Sequence, residues 1–210
     1  MRTEILGLWS ATAFIVVLAL LAPAHANPLI LAPTATTLTT GQVRAEAALS
    51  LSNTNGHYYW LGTGLQQYEL SAIGFQQRGG KIEGMVGLQA SFLPETSLSP
   101  AIAFGVNDIA SQSSDGIGLY AVVTKHLPVG PAAFLIHDFA ATVGVGLFGI
   151  RGPFSGFEAK LPGKFFVEGE WDSHDFNAAV GWQPISLFRI KAYSIRGDTY
   201  FGAELVPMTF

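Results

Sequence analysis

Beyond about residue 41 the chain alternates apolar and polar side chains with a period of two. Val43, Ala45, Ala47, Leu49 and Leu51 share one parity while Arg44, Glu46, Ser50 and Ser52 hold the other, so an extended strand would carry two chemistries on opposite faces. The clearest run sets Ile82, Gly84, Val86, Leu88, Ala90 and Phe92 against Lys81, Glu83, Met85, Gly87, Gln89 and Ser91. A helix would scatter those residues around its circumference. Phe165, Val167, Gly169 and Trp171 alternate with Glu168, Glu170 and Asp172, and Phe188, Ile190 and Ala192 alternate with Arg189 and Lys191. Turn chemistry separates the runs at Asn53-Thr54-Asn55-Gly56, Arg78-Gly79-Gly80, Ser113-Ser114-Asp115-Gly116, Pro162-Gly163, Ser173-His174-Asp175 and Arg196-Gly197-Asp198. The spacing predicts ten to twelve strands, near 42–52, 57–64, 66–77, 81–93, 99–109, 115–126, 135–148, 153–161, 164–172, 175–184, 187–195 and 199–210. Strands of about 9 to 12 residues are the length a tilted strand needs to cross a hydrocarbon layer.

The N-terminal part reads differently. Arg2, an apolar run over residues 5–21, Pro23 and the A-x-A pattern Ala24-His25-Ala26 predict an export signal over 1–26, cleaved before Asn27. Glu4 is atypical for its basic end, and an uncleaved membrane anchor is the alternative. Residues 27–40 hold Pro28, Pro33 and a series of Thr and Ala, which predicts an extended leader without a helical face. The barrel is expected over 41–210.

Alternation alone also fits a soluble β-sandwich, and composition tips the balance. Mean hydropathy is +0.36, yet no run of about 18 apolar residues follows the signal. Only 12% of residues are charged, against about 25% in an ordinary soluble domain. The last strand ends the chain on Phe210, which resembles the C-terminal signal read by barrel-assembly machinery. Export, low charge and this ending predict an all-β, antiparallel, up-and-down transmembrane barrel in the outer membrane of a bacterium with two membranes, closed because a membrane tolerates no open sheet edge. Tyr58, Tyr59, Trp60, Phe75, Phe92, Trp171, Trp182 and Phe201 fall near strand ends, where aromatic girdles are expected.

Several strands carry a family likeness. It begins at Pro33-Thr34-Ala35 with Gly41 following, runs through Gln67-Tyr68-Glu69-Leu70, and is clearest from Ser99-Pro100-Ala101 through Gly105-Val106-Asn107-Asp108-Ile109. Tyr120-Ala121-Val122-Val123-Thr124-Lys125, Gly156-Phe157-Glu158, Glu168-Gly169-Glu170-Trp171-Asp172 and Asn177-Ala178-Ala179-Val180-Gly181-Trp182-Gln183-Pro184 follow in order. In these motifs the chain resembles the YjbH-like outer-membrane barrel family, associated with bacterial exopolysaccharide production. The resemblance implies a barrel fold, a role in the envelope with surface polysaccharide as partner, and motif positions Glu69, Gly105, Asp108, Tyr120, Lys125, Glu158, Glu170, Asp172, Asn177, Gly181 and Pro184. The chain is much shorter than the large members of that family, and Trp171 and Ser173 stand where Tyr and Gly are expected.

Candidate chemistry is sparse. A formal net charge of −4 with no basic cluster argues against nucleic acid, and the absence of cysteine excludes disulfides and thiolate sites. Asp172, His174 and Asp175, near Glu168 and Glu170, form the densest titratable group; hard-cation sites need several converging oxygens, and Asp, Ser and His are ordinary turn residues. A lipid- or peptide-hydrolysing barrel would draw on His57, His126, His137 or His174, but neighbours such as His137 and Asp138 point to opposite faces of a strand, and no G-x-S-x-G or H-E-x-x-H motif is present. No catalytic, cofactor or metal site is assigned, and a non-enzymatic protein is expected. Arg44, Lys81, Lys125, Lys160, Arg189 and Lys191 are balanced by Glu46, Glu69, Glu83, Glu158, Glu168 and Glu170, which would satisfy one another across a narrow interior. That favours a plugged barrel, with a narrow solute pore as the alternative and outer-membrane lipids as the surroundings.

Overall fold

The period-two pattern closes on itself. The structure, a computed structural model, describes residues 29–51, 56–76, 82–127, 129 and 135–209; the predicted export signal, Lys81 and Phe210 lie outside them. Twelve antiparallel strands follow in order: β1 (Gln42–Ser50), β2 (His57–Leu65), β3 (Tyr68–Gln76), β4 (Glu83–Leu93), β5 (Ala101–Asn107), β6 (Gly118–Leu127), β7 (Asp138–Phe148), β8 (Gly152–Lys160), β9 (Phe165–Trp171), β10 (Phe176–Ile185), β11 (Phe188–Ile195) and β12 (Asp198–Thr209). Each pairs with its sequence neighbours, and β1 pairs with β12 to make a closed up-and-down barrel. The seam is held in register by pairs such as Glu46 with Glu204 and Ala48 with Gly202. The expected strands are all present, several trimmed where turns bite into them: β7 starts at Asp138 and β6 at Gly118. His137 therefore precedes its strand, where its N–H donates to the Lys160 carbonyl.

Prolines within strands sit where the ladder can spare a donor. The register slips between Trp182 and Ile185 on β10, so Pro184 occupies a bulge. On the seam, Val43 pairs with Met208 and Ala45 with Leu205, which puts Pro207 in the extra residue of β12. Proline lacks the N–H of a regular ladder and is tolerated at such bulges.

The charged parity faces inward, as the alternation predicts. Arg44, Glu46, Glu168, Glu170, Arg189, Lys191 and Glu204 are all buried, while Leu49, Leu61, Val143, Leu147, Val180 and Phe201 are exposed on the outer face. Two expectations need correction. Lys125 belongs to the outward parity at the end of β6, because Thr124 takes the interior position, and its ammonium caps the β4–β5 loop instead of joining the interior charges. The aromatics divide: Tyr59, Phe92, Trp182 and Phe201 face outward, whereas Tyr58, Trp60 and Phe75 are buried in the lumen, where they pack with Ile30, Leu38, Tyr193 and Tyr200. Parity, not nearness to a strand end, decides which aromatics can form a girdle.

Residues 29–39 of the expected extended leader form neither strand nor helix. Leu29, Ile30, Ala32, Ala35 and Leu38 are among the most buried of the described residues, and residues 29–38 lie inside the barrel before Gly41, at φ 79°, turns the chain into β1.

Candidate functional site: a lumen closed by the leader and a charge network

The inner wall has two unlike halves. On β5 to β8 most inward positions are small: Ala101, Ala103 and Gly105, then Val122 and Thr124, then Ala140, Thr142 and Gly144, then Gly156, with Tyr120, Phe154 and Glu158 as the large exceptions. On β9, β11, β12 and β1 they include the long charged side chains Glu168, Glu170, Arg189, Lys191, Glu204, Arg44 and Glu46, while β10 contributes the short Asn177, Ala179 and Gly181. The leader lies against the first half through Leu29, Ala32 and Ala35 and reaches the aromatics opposite through Ile30 and Leu38. A Cβ at Gly156 would stand 2.2 Å from the Leu29 side chain, and one at Gly64 would stand 2.1 Å from the Thr39 carbonyl, so both glycines are places where the wall gives way to the leader.

The leader hangs from wall side chains. The Glu170 carboxylate accepts the backbone N–H of Ile30 at 2.8 Å, Leu31 at 2.9 Å and Ala32 at 3.0 Å. Asn177 donates to the same carboxylate at 2.9 Å. Thr124 Oγ1 accepts the Ala35 N–H and Glu69 accepts the Leu38 N–H, both at 2.8 Å. Tyr58 donates its hydroxyl to the Ile30 carbonyl, and Gln89 donates its amide to the Thr34 carbonyl. Gln89 is itself held by the Tyr120 hydroxyl at 2.8 Å. A bent segment without a ladder must find partners for each buried N–H and C=O, and the wall supplies them.

The other half is filled by ions. Arg44 reaches Glu46 at 2.7 Å and Glu204 at 2.8 Å. Lys191 reaches Glu204 at 2.8 Å, Glu46 at 3.1 Å and Glu168 at 3.2 Å, and Arg189 reaches Glu158 at 3.0 Å. The Tyr193 hydroxyl donates to Glu46, and the guanidinium groups of Arg44 and Arg189 lie over the rings of Trp60 and Phe166 at 4.7 and 4.5 Å. Such charges can leave water only if each meets an opposite charge, and here each does, although Arg44 Nη1 has no hydrogen-bond partner of its own. Small spaces of about 80, 40 and 20 Å³ remain beside the leader, room for a few water molecules.

The motif positions of the family likeness thus acquire local roles. Glu69, Glu170, Asn177 and Tyr120 hold the leader directly or through a neighbour, and Glu158 belongs to the charge network. Gly105 and Gly181 each lie beneath a cross-strand ring, because a Cβ there would come within 2.3 Å of Tyr120 and 2.2 Å of Phe166. Pro184 sits in the β10 bulge, its carbonyl accepting from Lys164 at 2.7 Å. Asp108 and Asp172 organise turns. Asp108 accepts the N–H of Gln112 and of Ser113 and the Ser113 hydroxyl; burial works against its charge, but these three donors outweigh it and hold the carboxyl below its ordinary range. Asp172 accepts the N–H of His174 and of Asp175, which is turn chemistry. Among the described residues no group of three or more His, Asp or Glu is placed to hold a metal ion.

The histidines are spread over both rims. His126 pairs with Glu95 at 2.7 Å. Burial disfavours the Glu95 charge, yet the His126 ring and N–H together with the Lys125 ammonium hold its carboxyl below the usual range. His57 stacks on Tyr59, His174 is in the β9–β10 turn, and His137 precedes β7. Two members of the interior escaped the sequence reading. Glu204 lies in a strand otherwise apolar around it, and Tyr193 looks like any strand aromatic. Their parity, shared with Tyr200 on β12 and with Arg189 and Lys191 on β11, was the available signal. No known protein family, curated protein or solved structure matches the chain.

Proposed function

We propose that this chain is a non-enzymatic barrel of the bacterial outer membrane whose interior is closed at rest, serving the cell envelope instead of passing solutes freely. The single observation that carries the reading is the inversion of the molecule: Arg44, Lys191 and Glu204 are 0 to 1% exposed inside while Leu147 and Val143 are 62 and 58% exposed outside. In water that arrangement would waste apolar burial and desolvate charge. Against hydrocarbon the outer face is satisfied, and a closed barrel leaves no backbone unpaired at its edges. The likeness to YjbH-like barrels extends the reading to surface polysaccharide, with outer-membrane lipids and the assembly machinery as partners in biogenesis.

Heat-modifiable migration tests the architecture: unboiled protein in detergent should run ahead of boiled protein. Purified protein that stays folded and monomeric in plain buffer would sink the membrane assignment. In planar bilayers the wild-type protein should show no steady conductance, and a constantly open pore would replace this reading with a porin. Deleting the gene should alter extracted surface polysaccharide for the family likeness to hold.

A further inference from the structure

We infer that the leader is a releasable plug, and that its departure opens a cation-preferring conduit along the small-residue half of the lumen. The inference rests on the membrane reading above and adds a transport function to it.

Three observations lead there. First, the leader is not part of the barrel's ladder. Its hydrogen bonds to the wall run to side chains, and backbone pairing begins only at Thr40, which bridges Gly64. Withdrawing it breaks no strand pairing, and the ladder that closes the barrel, β1 with β12, stays whole. Second, the wall behind it is already recessed. Ala101, Ala103, Val122 and Gly156 leave a volume that Leu29, Ala32 and Ala35 of the leader fill together with the Phe154 ring, and Ile30 and Leu38 reach across to the cluster of Tyr58, Trp60 and Tyr193. An interior of side chains alone would be expected to reach across the lumen from all sides.

Third, the charges are left unbalanced in one place. Glu46, Glu158, Glu168 and Glu204 each meet an arginine or lysine. Among the described residues Glu69 and Glu170 meet no cation within ion-pair distance; their partners are N–H groups of the leader, with Asn177 added at Glu170. Backbone N–H groups supply partial positive charge that leaves with the leader. Two carboxylates would then line a narrow wetted path and favour inorganic cations over anions. The same groups that latch the plug therefore set the selectivity of the path it covers.

Glu170→Gln keeps the shape and removes the charge that holds three N–H groups; Gly64→Ala drives a methyl into the Thr39 carbonyl and keeps both carboxylates. Each is recorded in planar bilayers across a KCl gradient after heat-modifiable migration has shown a folded barrel. Charge-assisted hydrogen bonds are about twice as strong as neutral ones, so open time should rise roughly tenfold or more over wild type in both variants. Reversal potentials should favour K⁺, less so when Glu69→Gln is added. Because the chain has no cysteine, Ala32→Cys reports plug position: a membrane-impermeant maleimide should label it faster in the Gly64→Ala background. Folded, inserted variants that stay as silent and as unlabelled as wild type would overturn the plug, and an anion-preferring conductance would overturn the role of the carboxylates. Wild-type protein that fails to insert at all would instead overturn the membrane reading.

Discussion

Asp108 stands at the end of β5 with φ 52°, a left-handed conformation that Asp tolerates better than most residues because its side chain can bond locally. Its carboxylate gathers three donors from Gln112 and Ser113, and only the ionised form accepts all of them. The folded carboxyl therefore titrates below its ordinary value of 3.8. A group depressed on folding contributes stability above its unfolded pKa and loses it as pH falls through the folded value. Holding of the β5–β6 turn should thus be full at pH 5 and weaken below about pH 3.8. Asp108→Asn keeps one acceptor oxygen and loses the other, so it should weaken the turn at all pH values above that range and remove the pH dependence, costing about 1 to 2 kcal/mol. Hydrogen exchange at the Gln112 and Ser113 amides, compared between wild type and variant at pH 5 and pH 3, checks this; equal protection in both proteins at pH 5 would refute it.

At the scale of elements, neighbouring strands interlock through glycine and an aromatic ring. Gly105 faces Tyr120, Gly144 faces Phe154 and Gly181 faces Phe166 in direct cross-strand pairs, and each ring lies where a Cβ would be. The ring covers backbone that glycine leaves bare and stiffens the pair. Gly181→Ala should push Phe166 off its position beneath Arg189 and lower stability by about 1 to 3 kcal/mol, read as a lower temperature for the shift between unboiled and boiled migration. An unchanged shift temperature would mean the ring has somewhere else to go. The strands themselves were legible because alternation is a two-residue signal that any wall segment must carry to keep apolar and charged sides apart. The leader's destination was not, because Pro, Thr and Ala satisfy no face and their partners are remote: Ile30 bonds Glu170 across 140 positions of sequence. A trace of it was present all the same. The inner parity of β5 to β8 lacks volume at Ala101, Ala103 and Gly156, and a closed barrel cannot leave that space empty. Lys125 misled for the opposite reason, since a charge at a strand end can belong to either parity when a loop waits to receive it.

For the whole molecule the decisive contact is the one that closes the circle. The ladder between β1 and β12 joins the two ends of the sheet, and Glu204 supports it from inside by bonding Arg44 on β1 at 2.8 Å and Lys191 on β11 at 2.8 Å. Both cations are wholly buried, so neither can turn to water if Glu204 loses its charge. Glu204→Gln keeps the volume yet leaves three cations, Arg44, Arg189 and Lys191, facing Glu46, Glu158 and Glu168 without the carboxylate that all three approach. Breaking one partner out of a buried ion network leaves an uncompensated charge and typically costs about 3 to 5 kcal/mol. Denaturant unfolding in detergent micelles should show a loss of that order, larger than for Glu170→Gln, which faces the leader and touches no cation. The two variants should also part in the bilayer: Glu204→Gln weakens the barrel without unseating the leader and stays silent wherever it is folded, whereas Glu170→Gln conducts. A Glu204→Gln protein as stable as wild type would show that the charge network fills the lumen without holding the seam.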